Sequence, residues 1–321
     1  MREAAFLKQN TEKWKRYESE PTSNPDELAE RFIEVTDDLA YARTFYKGTT
    51  TAQYINGLAQ SFHQDIYKNK REHFKRFKDF WMYELPSTVK ANHFKLLYAF
   101  IIFIVSVGIG VLSAKTDADF VRLILGDHYV NMTIENIKSG KPMAIYASEN
   151  ESIMFLSITA NNIRVSFYAF IAGLFFSWGT MMLLFYNGVM LGAFQFFFYK
   201  YGYLLTSVLT IWIHGTLEIS AIIVAGAAGF CLGNSILFPK TYSRIESFKR
   251  GASSGLKLVI GLVPLFITAG FLESFVTRHS DVSKLMSASV ILISAAFIIW
   301  YFIIYPFQLE KKKTNDVTPE I

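Results

Sequence analysis

At 321 residues, with 51% hydrophobic and 16% aromatic side chains against 18% charged, the chain is too apolar for a pair of soluble domains. Its mean hydropathy is +0.25, its formal net charge of +5 carries no expectation of nucleic acid as a partner, and its single cysteine, Cys231, excludes an intrachain disulfide framework. The apolar character is concentrated: residues 165 to 199 contain no charge, a run longer than the roughly 17–25 residues that one membrane-crossing helix needs.

Residues 1–93 predict a helical cytoplasmic domain with no cleavable signal peptide, because no short apolar core follows a basic start. Asn24-Pro25-Asp26-Glu27 is a helix start, with a cap residue, proline in the first turn and carboxylates behind it. Leu28, Phe32, Val35 and Leu39 then mark one face. Tyr54, Leu58 and Phe62 mark a second helix, with the turn at Gly48 between the two.

From Lys68 to Lys78, six basic side chains interleave with Phe74 and Phe77. The expectation is an interfacial helix whose Lys70, Arg71, Lys75, Arg76 and Lys78 meet lipid headgroups while Trp81 sits at the hydrocarbon boundary. The plainer alternative is a solvated helix that covers the domain.

Residues 94–309 predict a transmembrane helical domain. The first span is Leu96 to Leu112, and residues 114–151 follow with four basic and six acidic side chains, so this loop is expected to face outward. Within it Phe120 to Leu125 predicts a short surface helix. Val165 to Tyr186 predicts the second span, ended by the turn signal Asn187-Gly188. Residues 188–213 then leave two readings: one long helix with Lys200 snorkelling, or a broken or re-entrant pair of half-helices, since residues 189 to 199 make only about 16 Å of helix. The remaining spans are Thr216 to Phe238, Leu258 to Val276 and Leu285 to Pro306, with the basic residues Lys240, Arg244, Lys249 and Arg250 in a loop and Lys311 to Lys313 in the tail, residues 310–321. Together these predict an all-α polytopic protein of about six transmembrane helices with both termini cytoplasmic.

No nucleotide loop, Cys-x-x-Cys pair, Gly-x-Ser-x-Gly elbow or His-Glu-x-x-His is present. Neither an enzyme nor a cofactor is expected. What remains is a set of polar residues in apolar surroundings: Asn161, Asn162, Arg164, Asn187, His214, Glu218, Asn234 and Glu273. Strongly charged groups cost about 2.5–3.5 kcal/mol each at a span centre on insertion scales, so such residues face the bundle interior and pair. His214 and Glu218, four apart, share one helical face. Two ligands do not make a stable metal site and the spacing supplies no third, so no metal is expected. Ala221, Ala225, Gly229 and Gly233 form a small-residue stripe on the same helix, and Gly188 and Gly192 form a second small pair, both suited to close helix packing.

The order His214-Gly, Glu218, Ala221, then Ala225-Gly-Ala-Ala-Gly229 ahead of Leu232-Gly233 resembles the hallmark of the stage II sporulation protein M family. Asn161-Asn162, Asn187-Gly188 with Gly192, and Ala269-Gly270-Phe-Leu-Glu273 agree, so the resemblance covers roughly residues 161–277. It implies a non-enzymatic scaffold in a bacterial cytoplasmic membrane, since the family's namesake acts in spore engulfment as the membrane-embedded partner that recruits peptidoglycan-degrading enzymes. Membrane lipids, other membrane or envelope proteins and a second copy of the chain are the partners this implies. The added N-terminal domain is similar to that of longer, stand-alone members found outside spore formers. The rival expectation is a transporter, channel or lipid-translocating protein built on the intramembrane His, Glu and Asn residues. A polar cavity at Glu218 that reaches one aqueous face would favour transport, and its absence a scaffold.

Overall fold

A computed structural model describes residues 2–22, 24–67, 73–117, 119–143, 151–277 and 283–317. The chain divides into two compact units, Met1–Phe77 and Lys78–Ile321. All regular structure among the described residues is helical.

The first unit contains α1 (Glu3–Ser19), α2 (Pro25–Phe45) and α3 (Thr50–Tyr67). Helix α2 begins as its sequence dictates: the Asn24 side chain accepts the Asp26 N–H at 3.1 Å, and Asp26 and Glu27 complement the positive end of the helix. The turn before α3 uses Gly48 at φ +80°, a conformation that glycine adopts without steric cost. The core gathers Trp14, Val35, Ala42, Ile55, Leu58 and Phe62. Helix α3 buries Leu58 and Phe62 of the expected face, with Ile55, fully buried, taking the place of Tyr54, which is 39% exposed. The reason is chemical: isoleucine is apolar throughout, whereas the Tyr54 hydroxyl keeps a polar partner by donating to Glu18 at 3.0 Å.

From residue 73 onward run α4 (His73–Asp79), a π-helical turn (Phe80–Glu84), α5 (Leu85–Ala91), α6 (His93–Thr116), α7 (Phe120–Leu125) and α8 (Asp127–Lys138). Then come α9 (Glu151–Ile171), α10 (Trp178–Lys200), α11 (Leu204–Leu237) and α12 (Arg244–Phe271), which ends in a π-helical turn (Leu272–Thr277). Last is α13 (Lys284–Ile299), continued by a π-helical turn (Trp300–Ile304) into α14 (Tyr305–Val317). Five helices are long and apolar enough to cross a membrane: α6, α10, α11, α12 with its π turn, and the stretch Lys284–Lys311. Helix α9 adds 21 residues, about 31 Å at 1.5 Å per residue, and its Asn161, Asn162 and Arg164 hold its hydropathy down. About six spans is the resulting count.

Two expected boundaries move. Residues 165–186 are not one span, because α9 stops at Ile171, a 3-10 turn covers Ala172–Leu174, and Phe176 and Ser177 take positive φ before α10 starts. Asn187-Gly188 is not a turn, and α10 passes straight through it. The Asn187 amide donates to the Leu183 carbonyl one helical turn earlier at 2.8 Å, so it is satisfied inside the helix. Gly188 serves helix packing, since a Cβ there would lie 2.6 Å from Ser106 Cβ and 2.8 Å from the Phe103 carbonyl of α6. Residues 188–213 are broken, at Gly202 with φ +80°, but the pieces are not half-helices, since each belongs to a longer helix, α10 or α11.

Helix α11 is central. Within the most apolar stretch of each helix, 67% is buried for α11, against 22% for α6 and 17% for Lys284–Lys311. The small-residue stripe explains this. A Cβ on Gly229 would collide with the Thr180 hydroxyl and the Ala169 carbonyl, and one on Gly233 with Ser177 and the Gly173 carbonyl, so the corner between α9 and α10 presses directly on α11. Thr180 ties the corner by donating to the Ala169 carbonyl at 2.7 Å, both buried. Ala221 and Ala225 continue the stripe within the core shared with α12. On the α12 side, Gly251 and Gly255 meet the carbonyls of Cys231 and Ala228.

Of the expected headgroup contacts, Arg76 and Lys78 are exposed. Lys70 and Arg71 lie outside the described residues, as does the side chain of Lys75. Trp81 is partly buried against the core of α11 and α12, and its carbonyl accepts the Tyr301 hydroxyl at 2.7 Å. Its ring thus contributes to helix packing.

Candidate functional site: a His-Glu-Glu cluster inside the helical bundle

His214 and Glu218 project from one face of α11, one turn apart. Their partners come from the end of α12, where the helix widens into the π turn Leu272–Thr277. Such single π turns interrupt α-helices frequently at functional sites, and this one carries both Glu273 and Thr277. His214 Nδ1 lies 3.1 Å from Thr277 Oγ1, and His214 Nε2 lies 3.9 Å from Glu273 Oε1. One ligand atom each from His214, Glu218 and Glu273 fall within 4.8 Å of one another. The side chains of His214 and Glu273 are only 5% and 13% exposed.

Helix α9 supplies the third wall. Asn162 is 6% exposed and its amide faces Glu218, yet Nδ2 has no hydrogen-bond partner of standard geometry. Thr159 Oγ1, one turn before it, and Ser274 Oγ, beside Glu273, are buried and equally unmatched. An unmatched buried polar atom costs about 1–3 kcal/mol, so the Asn162 amide beside Glu218 suits a polar occupant there.

A cavity of about 410 Å³ reaches this cluster at His214 and Glu218. Its walls are largely apolar, from Phe103 of α6, Met190, Leu191 and Phe194 of α10 and Ile211, Ile219 and Ile222 of α11. Asn187 is the polar residue on the α10 wall, and Ile124, Leu125 and Tyr129 of α7 and α8 form the far end. Burial pushes the Tyr129 hydroxyl up to about 12, so it stays protonated at neutral pH as a hydrogen-bond donor.

Of the eight polar residues singled out in the sequence, Asn162, His214, Glu218 and Glu273 converge and Asn187 joins them across the cavity. Asn161 and Arg164 do not, being exposed on the opposite face of α9. Asn234 lines a separate pocket of about 180 Å³ with Lys95, Lys240 and Arg250. Two contributors were missed: Thr277 is an ordinary intrahelical residue by sequence, and Tyr129 sits in a loop segment. A four-residue offset from Glu273 was the available signal for Thr277.

The comparison with known families decides what this bundle is. The description Stage II sporulation protein M matches residues 99–278, which is more than half of the chain and holds every member of the cluster. The chain belongs to the stage II sporulation protein M family. The match runs from within α6 past the π turn Leu272–Thr277, so the cluster, the cavity and the glycine contacts between α6, α9, α10, α11 and α12 all lie in the family's own region. A second description, Domain of unknown function (DUF8413), matches residues 4–68, the extent of α1 to α3. No curated protein and no solved structure matches the chain.

Proposed function

We propose that this membrane protein binds and passes a small cationic solute or protons through the His214, Glu218 and Glu273 cluster. The observation that carries this reading is the cluster itself, His214, Glu218 and Glu273 gathered within 4.8 Å inside the bundle, with a largely apolar cavity beside it that is also lined by residues of α7 and α8. Two carboxyl groups and a histidine in one buried cluster can take up and release protons or, once ionised, hold a cation with little competition from water. In the arrangement we propose, six helices cross with both ends cytoplasmic, so that Lys240, Arg244, Lys249 and Arg250 stay inside and α7 and α8 face outward. Cysteines placed at Ser139 and Lys240 test it, because both positions are exposed and the native Cys231 is buried. Labelling of the residue-240 cysteine from outside intact cells overturns the topology.

The flux experiment uses purified protein in liposomes with a trapped indicator. Wild type should dissipate an imposed cation or proton gradient, whereas Glu218→Gln, which keeps the shape, should fold and lose flux. Full flux from the Gln variant overturns the reading at this residue.

A second reading, a scaffold for envelope proteins, has its own support. The outward face of α9 carries Ser157, Ala160, Asn161 and Arg164, all exposed. Small and polar residues on a membrane helix suit a protein neighbour better than acyl chains, and a guanidinium there calls for a carboxylate. The partner on this reading is a membrane helix with an acidic residue. A photo-crosslinker at residue 161 should capture a protein from native membranes in wild type and less in Arg164→Glu. Lipid adducts alone would retire the scaffold.

A further inference from the structure

We infer that the cluster is a binding site for one divalent transition-metal ion of the Zn²⁺ type, held by His214 Nε2 and the carboxylates of Glu218 and Glu273. The inference rests on the cation reading above and names its ligand class. Helix spacing supplies two of the donors, and the π turn of α12 supplies the third, with mutual separations of 4.8 Å or less. Neighbouring donors around a tetrahedral Zn²⁺ ion stand about 3.3 Å apart when bonds are near 2.0 Å. Closing the difference calls on the rotatable side chains of the two glutamates.

Three further features separate a metal from a shared proton. First, His214 Nε2 and Glu273 Oε1 are 3.9 Å apart, too far for a direct hydrogen bond and near the span of two donors on one ion. Second, Thr277 Oγ1 contacts the other ring nitrogen at 3.1 Å. Metal-bound histidines are oriented in the same manner, with one nitrogen held by an oxygen so that the other points at the ion. Third, Asn162 is 6% exposed and its amide, facing Glu218, lacks a standard partner. The amide's oxygen and nitrogen exchange places by a flip of the group, which offers the site a fourth, neutral oxygen ligand.

Charge and donor type narrow the ion. Two carboxylates neutralise a divalent cation, which is the balanced state in surroundings that solvate charge poorly. Mg²⁺ and Ca²⁺ take oxygen shells, whereas one imidazole with carboxylates suits Zn²⁺, Co²⁺ or Mn²⁺. The cavity meets the cluster along its His214 and Glu218 edge, which supplies the route of entry.

The test uses the full chain, free of any polyhistidine tag, stripped with chelator in detergent and titrated with Zn²⁺, then with Co²⁺ for its absorption bands. One equivalent should bind, raise the melting temperature and, as Co²⁺, show the intense visible bands of a four-coordinate site. Glu273→Gln and His214→Gln should each weaken binding by at least tenfold and abolish the thermal shift, with unchanged elution profiles. Thr277→Val, which only releases the ring, should weaken it about 10–100-fold. Mg²⁺ and Ca²⁺ should compete poorly. Absence of saturable Zn²⁺ binding, or binding indifferent to both Glu273→Gln and His214→Gln, overturns the inference. Stoichiometric binding without flux in liposomes leaves it standing and retires transport. Proton flux without metal binding does the reverse.

Discussion

The two units of this chain are held together by opposite means. In residues 1–77, large side chains meet one another: Trp14 is 1% exposed and lies edge-on to Phe6, ring centres 5.6 Å apart. Polar tips are then satisfied at the rim, where Trp14 Nε1 donates to Asp38 at 2.8 Å, Lys13 pairs with Asp38 at 2.8 Å and Tyr17 donates to Glu34 at 2.7 Å. In the bundle, backbones meet. Gly188 and Gly192 of α10 lie against the backbone of α6, and Gly229 and Gly233 of α11 against the corner of α9 and α10. Water rewards burial by area, about 25 cal/mol per Å². Lipid gives no such reward between helices, so close approach, dispersion and hydroxyl-to-carbonyl bonds must serve.

That contrast orders the mutations. The largest effect is expected from Gly192→Leu, because its Cβ alone would collide with the Val107 carbonyl and stand 2.9 Å from the Val111 nitrogen. Backbone atoms cannot move aside, so monodisperse protein should vanish in size-exclusion chromatography. A variant that elutes like wild type would break the comparison.

Next comes Trp14→Ala, expected to cost the first unit about 3–5 kcal/mol through lost burial and a cavity. Hydrogen exchange should accelerate over residues 3–67 and leave α11 protected. Loss of protection in α11 as well would show that the two units do not fold on separate grounds.

Cys231→Leu sharpens the contrast within α11. Cys231 is 3% exposed in the core that α11 shares with α12, so overpacking should cost about 1–3 kcal/mol. The melting temperature should fall while the protein still assembles, whereas Gly229→Leu should prevent assembly. Equal damage from both would mean that the stripe has no special role.

The smallest effect concerns pH. The Thr22 hydroxyl, and after it the Arg31 guanidinium, hold the Glu27 carboxyl below its ordinary value of 4.5. A carboxyl depressed in the folded state adds stability that is present above its unfolded value and lost as pH falls through the folded one. Exchange at the start of α2 should therefore quicken below about pH 4.5 in wild type. In Glu27→Gln it should already be quicker at neutral pH and change less over that window. An unchanged acid response in the variant would remove Glu27 from the account.

By itself the sequence determined the membrane class, the helical content, the capped start of α2, the small-residue stripe and half of the site. These are local properties: an uncharged run, a four-residue spacing or an Asn-Pro start means the same in any surroundings. Tertiary structure alone decided the rest. The pair Asn187-Gly188 signals a turn in water, but a glycine without Cβ equally permits helix contact, and only α6 lying against Gly188 settles which holds. Likewise Asn161 and Asn162 are neighbours in sequence, and the packing of α9 on α11 sends one outward and the other to Glu218. The third donor of the cluster follows the same logic. Glu273 lies 55 positions beyond Glu218, too far for any periodicity, and reaches it because α12 packs along α11 and opens into a π turn where the two carboxylates meet.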